Sequence, residues 1–299
     1  MKTSPRTLQE WNRAKRLRIL RQFSDRLFQR VPYTEHVPIT WLAHPGIFSK
    51  KQFRHDTIYD LLNRLHAFHR VPIRYRVANN LLATGILGTH GFHLLASTGQ
   101  LHLIPKYVLT KTNLLLENDN QETVFHLDAV NKCSLLDIVP QLFLSDEIIL
   151  RRNCRMRTVL HQMAIGGNLN KLPPEALRPD YLSLQDCYGY SVFHLAAANR
   201  FLWQIPANLL TAEVVLSTDK YGLSLLRNAA QKMDLNYIPV TAELIPHFQL
   251  ISDIIRDAFL DSKREASLDD CLAFYPSAKR WLAKIARHAL TEADFPHNS

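Results

Sequence analysis

Cysteine is scarce: Cys133, Cys154, Cys187 and Cys271 are the only four in 299 residues, and no two form a Cys-x-x-Cys pair. That excludes a disulfide scaffold and a paired-thiolate zinc site, and it fits a reducing compartment, so a cytoplasmic location is expected. Long apolar runs are missing as well. No stretch approaches the roughly 18 consecutive apolar residues that a membrane span needs, and the N-terminus has no apolar signal core, so neither spanning nor secretion is expected. The chain also lacks the signatures of common reaction centres: no Gly-x-Ser-x-Gly elbow, no His-Glu-x-x-His, no phosphate-binding loop and no Gly-x-Gly-x-x-Gly. A non-enzymatic protein without cofactor or metal is the expectation.

Acidic residues are few only at one end. Lys and Arg total 36 against 27 Asp and Glu, a formal charge of +9. Residues 1–56 hold 12 basic and 4 acidic side chains, and the remainder is nearly balanced at 24 and 23. The excess therefore belongs to an N-terminal segment and not to the body. Arg13, Lys15, Arg16, Arg18 and Arg21 are followed by Arg26 and Arg30, and Lys50, Lys51 and Arg54 form a second cluster. Residues 7–30 also place Leu17, Leu20, Phe23, Leu27, Phe28 and Val31 near one stripe, the pattern of an amphipathic helix. Pro32, Pro38 and Pro45 then break the chain into a connector. A mitochondrial presequence would share the arginines, but Glu10 and Asp25 weigh against it.

The body repeats. Phe92-His93, Phe125-His126, Leu160-His161, Phe193-His194 and Leu226-Arg227 align with spacings of 33, 35, 33 and 33. Three residues after each stands an alanine: Ala96, Ala129, Ala164, Ala197 and Ala230. An aliphatic-proline pair follows further on in each unit, as Ile104-Pro105, Val139-Pro140, Leu172-Pro173, Ile205-Pro206 and Ile238-Pro239. Val71-Pro72 marks a further copy upstream, which makes about six units over residues 57–250. Helical spacing resumes over residues 251–259 and 278–290, so residues 251–299 are expected to cap the array, as residues 1–56 do at the other end.

Asp186-Cys-Tyr-Gly189-Tyr-Ser191 leading into Val-Phe-His194-Leu-Ala-Ala resembles the ankyrin repeat, whose units carry D-x-x-G-x-T-P-L-H-x-A-A-x-x-G. Asp219-Lys-Tyr-Gly222-Leu-Ser224 repeats the opening. Gly88, Gly189 and Gly222 stand at the hairpin glycine, and Gly99 and Gly167 at the late glycine. The departures are the missing TPLH proline, Arg227 in the histidine slot, and Gln121 and Met156 in place of hairpin glycines. The resemblance implies an all-α, ankyrin-like helical repeat solenoid with N- and C-terminal helical caps. Proline within the second helix predicts a helix shortened to start at that residue. A further turn is expected near Leu210–Leu216, capped by Thr211 and with Glu213 at its positive end.

Fourteen histidines invite a metal or catalytic reading. His93, His126, His161 and His194, however, recur with the repeat, and a residue at one place in every unit has a structural job there. The resemblance implies that this job is hydrogen bonding between neighbouring hairpins. His66 with His69 lacks an acidic or thiol partner, the cluster His90, His93 and His102 is ordinary repeat content spread over a hairpin and helix, and a Cys154–His161 pair has no supporting motif. The resemblance instead implies recognition of another protein through hairpin tips on a concave face, where Arg155, Arg157, Tyr188, Tyr190, Lys220 and Tyr221 would lie. Arg and Tyr are interface hot-spot types. The alternative is a nucleic-acid binder or nucleoprotein subunit gripping phosphates with Arg13, Lys15, Arg16, Arg18, Arg21, Arg26, Arg30, Lys50, Lys51 and Arg54 together with Arg151 and Arg152.

Overall fold

Thr123, Thr158 and Ser191, three residues before His126, His161 and His194, are helix-capping residues, and each Phe-His or Leu-His pair lies in the first turn of a short helix. The computed structural model describes residues 91–260 and 276–294, which divide into two units between Ile148 and Ile149. The lead helices are α1 (Gly91–Ser97), α2 (Val124–Val130), α3 (Val159–Gly166), α4 (Val192–Ala198) and α5 (Leu225–Lys232). Two further helices follow, α6 (Phe248–Leu260) and α7 (Pro276–Asp294). Among the described residues the fold is all-helical, with no strand and only the isolated antiparallel bridges Gln185–Ser191 and Thr218–Ser224.

Helices of seven or eight residues are too short to persist alone, so packing must hold them. In the first unit α1 packs on α2; in the second α3 packs on α4, α4 on α5, α5 on α6 and α6 on α7. The repeated alanines lie in these contacts: Ala96, Ala129, Ala164, Ala197 and Ala230 are all fully buried. Beside them Phe92, Phe125, Leu160, Phe193 and Leu226 fill the core. The expected helices over residues 251–259 and 278–290 are present within α6 and α7. Trp281 of α7 donates its indole N–H to the Ile238 carbonyl at 2.9 Å.

The proline-led second helix is corrected at most units. Leu101–Leu103 and Lys106–Val108 are separate 3₁₀ turns, and so are Leu202–Gln204 and Ala207–Leu209. Leu169–Lys171 and Pro174–Ala176 repeat the arrangement. The cause is the residue before proline, which is driven out of the helical region. Ile104, Leu172 and Ile205 have ψ values of 135°, 144° and 129°, so each separates two turns that would otherwise join. Among the described residues only the Val139-Pro140 pair behaves as expected, with Pro140 opening the four-residue helix Pro140–Phe143. The additional turn also forms, as the helix Ala212–Leu216, with the Thr211 side chain accepting from the Val214 amide and Glu213 in the first turn.

Each lead helix of the second unit is followed by a residue in the left-handed region: Gly167, Arg200 and Met233, at φ 68°, 68° and 63°. Met233 holds this conformation with a Cβ, which costs about 1 kcal/mol. Met233→Gly is therefore expected to raise the urea unfolding free energy by about 0.5–1 kcal/mol, the larger entropy of the unfolded glycine offsetting part of the gain. Beyond these residues the turns of adjacent repeats are tied together. Gln204 accepts from the Leu169 amide at 2.9 Å and donates to the Gly167 carbonyl at 2.7 Å, and Asp234 accepts from the Leu202 amide at 3.3 Å.

The expected N-terminal helix and connector, the first repeat, Arg13, Lys15, Arg16, Arg18, Arg21, Arg26, Arg30, Lys50, Lys51 and Arg54, and His66, His69 and His90 lie outside the described residues. No helix among the described residues is long and apolar enough to cross a membrane.

Candidate functional site

The hairpins ahead of the lead helices are organised by one side chain each. Asp186 Oδ1 accepts from the Tyr188 and Tyr190 amides at 2.9 and 3.0 Å, and Asp219 Oδ1 from the Tyr221 and Leu223 amides at 2.8 and 2.9 Å. Asn153 Oδ1 does the same for Arg155 and Arg157, both at 3.0 Å, and Asn118 Oδ1 for Asn120 and Glu122, both at 2.9 Å. Asn and Asp side chains favour such turns because they replace a backbone acceptor. Neither asparagine is expected from the ankyrin-like pattern, which has Asp at this position and a glycine three residues on. Their signal is an Asn or Asp eight residues before every histidine slot from His126 onward. Gln121 and Met156, at φ 56° and 59°, adopt the left-handed turn conformation that Gly189 and Gly222 adopt at 80° and 77°.

In the second unit the hairpins are joined through backbone. The Cys187 amide donates to the Arg155 carbonyl at 2.9 Å, and the Lys220 amide to the Tyr188 carbonyl at 3.0 Å. The repeated histidines add side-chain links. The Thr158 amide donates to His161 Nδ1 at 3.1 Å and the Ser191 amide to His194 Nδ1 at 3.4 Å, which leaves Nε2 as the protonated nitrogen. His161 Nε2 then donates to the Tyr190 carbonyl at 3.2 Å and His194 Nε2 to the Ser217 carbonyl at 3.0 Å. In the first unit His93 Nε2 lies 3.0 and 2.9 Å from the Leu116 and Glu122 carbonyls, and the Thr123 amide donates to His126 Nδ1 at 3.2 Å. Imidazole thus substitutes for the Glu or Gln of a capping box while its far nitrogen reaches another segment.

Burial lowers the His161 pKa to about 4, against the opposing pull of the Asp186 carboxylate. Burial also holds His194 below its ordinary value. Both rings are neutral near pH 7 with both nitrogens committed, which leaves neither as a ready base or metal ligand. His161 accordingly has no nitrogen to offer Cys154. A cleft of about 430 Å³ beside the second hairpin includes His194, Thr211 and Ser217 in its walls, but each already serves a cap or a carbonyl. Among the described residues no group of three or more His, Cys, Asp or Glu is arranged to hold a metal ion.

The six tip residues separate into two classes. Arg155, Tyr188, Lys220 and Tyr221 are exposed. Arg157 is half-buried, its Nε 2.9 Å from Asp186 Oδ2. Tyr190 is half-buried too, edge-on to His194 with centroids 6.2 Å apart, and its phenol pKa is raised by burial and then by the Asp219 carboxylate. Arg151 and Arg152 are half-buried ahead of the first of these hairpins. Met156 joins the exposed group, with nearly half its surface open, and the sequence reading noticed it only as a missing glycine.

Arg157 and Tyr190 occupy the same position in successive repeats, each four residues before its histidine. Arg157 completes Asp186 with a charged hydrogen bond, whereas Asp219 Oδ2 has no partner at hydrogen-bond distance and is approached by the neutral Tyr190 phenol, whose pKa it helps to raise. Asp186→Asn is expected to cost about 2 kcal/mol, because it strands a partly buried guanidinium. Asp219→Asn keeps the Oδ1 bonds while removing a buried charge, so it should change stability by no more than about 0.5 kcal/mol. Urea unfolding of the two variants side by side checks the contrast. No family model matches the chain, and no curated protein matches it as a relative.

Proposed function

We propose that the protein is a non-catalytic recognition scaffold, an ankyrin-like array of helical repeats with helical ends that binds a protein partner through its hairpin tips. One observation carries the reading: three successive hairpins joined by backbone hydrogen bonds present Arg155, Met156, Tyr188, Lys220 and Tyr221 to solvent. Backbone so constrained loses little conformational entropy on docking, and exposed Tyr and Arg are the residue types that anchor interfaces. The recurrent histidines support a non-catalytic role, since the same ring makes the same kind of bond in successive repeats.

The test is recovery of the tagged full chain from its native cells with and without nuclease. A stoichiometric protein partner that survives nuclease and is lost on combined Tyr188→Ala and Tyr221→Ala substitution is expected. Recovery of nucleic acid without such a partner would overturn the reading, as would binding whose log affinity falls with log salt at a slope near −5, the signature of about six neutralised phosphates.

A further inference from the structure

Asp186 and Asp219 are the carboxylates of the three hairpins at 153–157, 186–190 and 219–223, and both are buried. Each is turned inward to hold amides of its own turn. Of the three cations on the same hairpins, Arg157 pairs with Asp186, while the other two face the other way: Arg155 and Lys220 are exposed, and their side chains make no hydrogen bond or ion pair with any described residue. The folding of these turns therefore sorts charge, hiding the acids and leaving these two bases accessible between the exposed Met156, Tyr188 and Tyr221.

Resting on the protein-recognition reading above, we infer that this surface takes an acidic segment of the partner protein, with Asp or Glu side chains pairing with Arg155 and Lys220 and apolar residues covering Met156, Tyr188 and Tyr221. Complementary charge steers such an encounter and excludes basic partners, while the phenols supply contact area and hydroxyl donors to carboxylates. The spacing is short. Arg155 is bonded to Cys187 and Tyr188 to Lys220, so the backbones carrying the two cations are no more than about 14 Å apart. An extended segment covers that distance in about four residues. A phosphate backbone is the less suitable occupant, because Arg157, in the densest arginine run of the second unit, is committed to Asp186.

The test places a photoreactive benzoylphenylalanine at Tyr221 of the full chain in native extract, followed by sequencing of whatever is attached. Expected are protein segments with a clear excess of Asp and Glu. Combined Arg155→Glu and Lys220→Glu substitution should lower their yield about tenfold or more, and Arg155→Lys with Lys220→Arg should retain it. Cross-linked protein segments that are neutral or basic, or a yield unmoved by charge reversal, would overturn the acidic-partner inference and leave protein recognition standing. Nucleotide adducts, or no adduct, would overturn both. Circular dichroism of each variant confirms that the fold is retained.

Discussion

Gly189→Ala is expected to destabilise the second unit by about 3 kcal/mol, whereas Gly222→Ala costs about 1 kcal/mol. The two glycines hold the same place in successive hairpins, with φ 80° and 77°, so both variants bear the cost of a left-handed alanine. They differ in what the methyl meets. At Gly189 it would lie 2.5 Å from the Lys220 backbone nitrogen, the atom that donates to the Tyr188 carbonyl. Backbone cannot move aside as a flexible side chain does, so the joint between hairpins must open. At Gly222 nothing lies within 4 Å of the added methyl. Urea unfolding monitored by circular dichroism measures both, and equal losses would remove the tight approach of these hairpins from the account.

Acid is expected to weaken the same unit well before its carboxylates are fully protonated. His161 binds a proton at about pH 4 in the folded chain and at about 6.5 when unfolded. Between those values the unfolded chain holds the extra proton, so stability is full above about pH 6.5 and falls as pH drops toward 4. Burial is the cause, since a charged ring would lie in the core with its Nδ1 facing the Thr158 amide. The contribution of His161 is about 3 kcal/mol across that range. His194 adds in the same direction, and Asp234, whose burial raises its pKa, opposes it near the acid end. Substituting His161→Gln isolates the imidazole, because glutamine at that helix position preserves a capping acceptor without titrating. The stability difference between pH 7 and pH 4.5 should shrink by about 2–3 kcal/mol in this variant. An unchanged difference would mean that His161 is not buried and neutral.

Regular features were legible where one residue type served one purpose in every repeat. The histidine slot, the alanines that permit close helix packing and the Thr211 cap all follow from local rules, and so do α6 and α7. Paired 3₁₀ turns replace the expected proline-led helix because the constraint that proline places on the residue before it outweighs its suitability for a helix start. Ile104 and Ile205 are forced into extended backbone, and the helix cannot cross them. The organising side chains Asn118 and Asn153 stayed hidden, although the hairpin tip at Arg155 and Arg157 was expected, because Gln121 and Met156 take a conformation usually left to glycine. The division of the tip residues was not readable at all. Arg157 is withdrawn from the surface by Asp186, a residue 29 positions away, and only the stacking of hairpins brings the two together.

Hydroxyl-radical footprinting of the full chain, free and bound to its native partner, tests the central claim most directly. Met156, Tyr188 and Tyr221 are reactive, exposed side chains on the hairpins that precede the lead helices. Trp203, Met233 and Tyr237 are equally open but lie past the C-terminal ends of α4 and α5, so they serve as internal controls. The account predicts that partner binding protects Met156, Tyr188 and Tyr221 and leaves Trp203, Met233 and Tyr237 oxidised at their free rates. Protection of the second set with the first unchanged would contradict it.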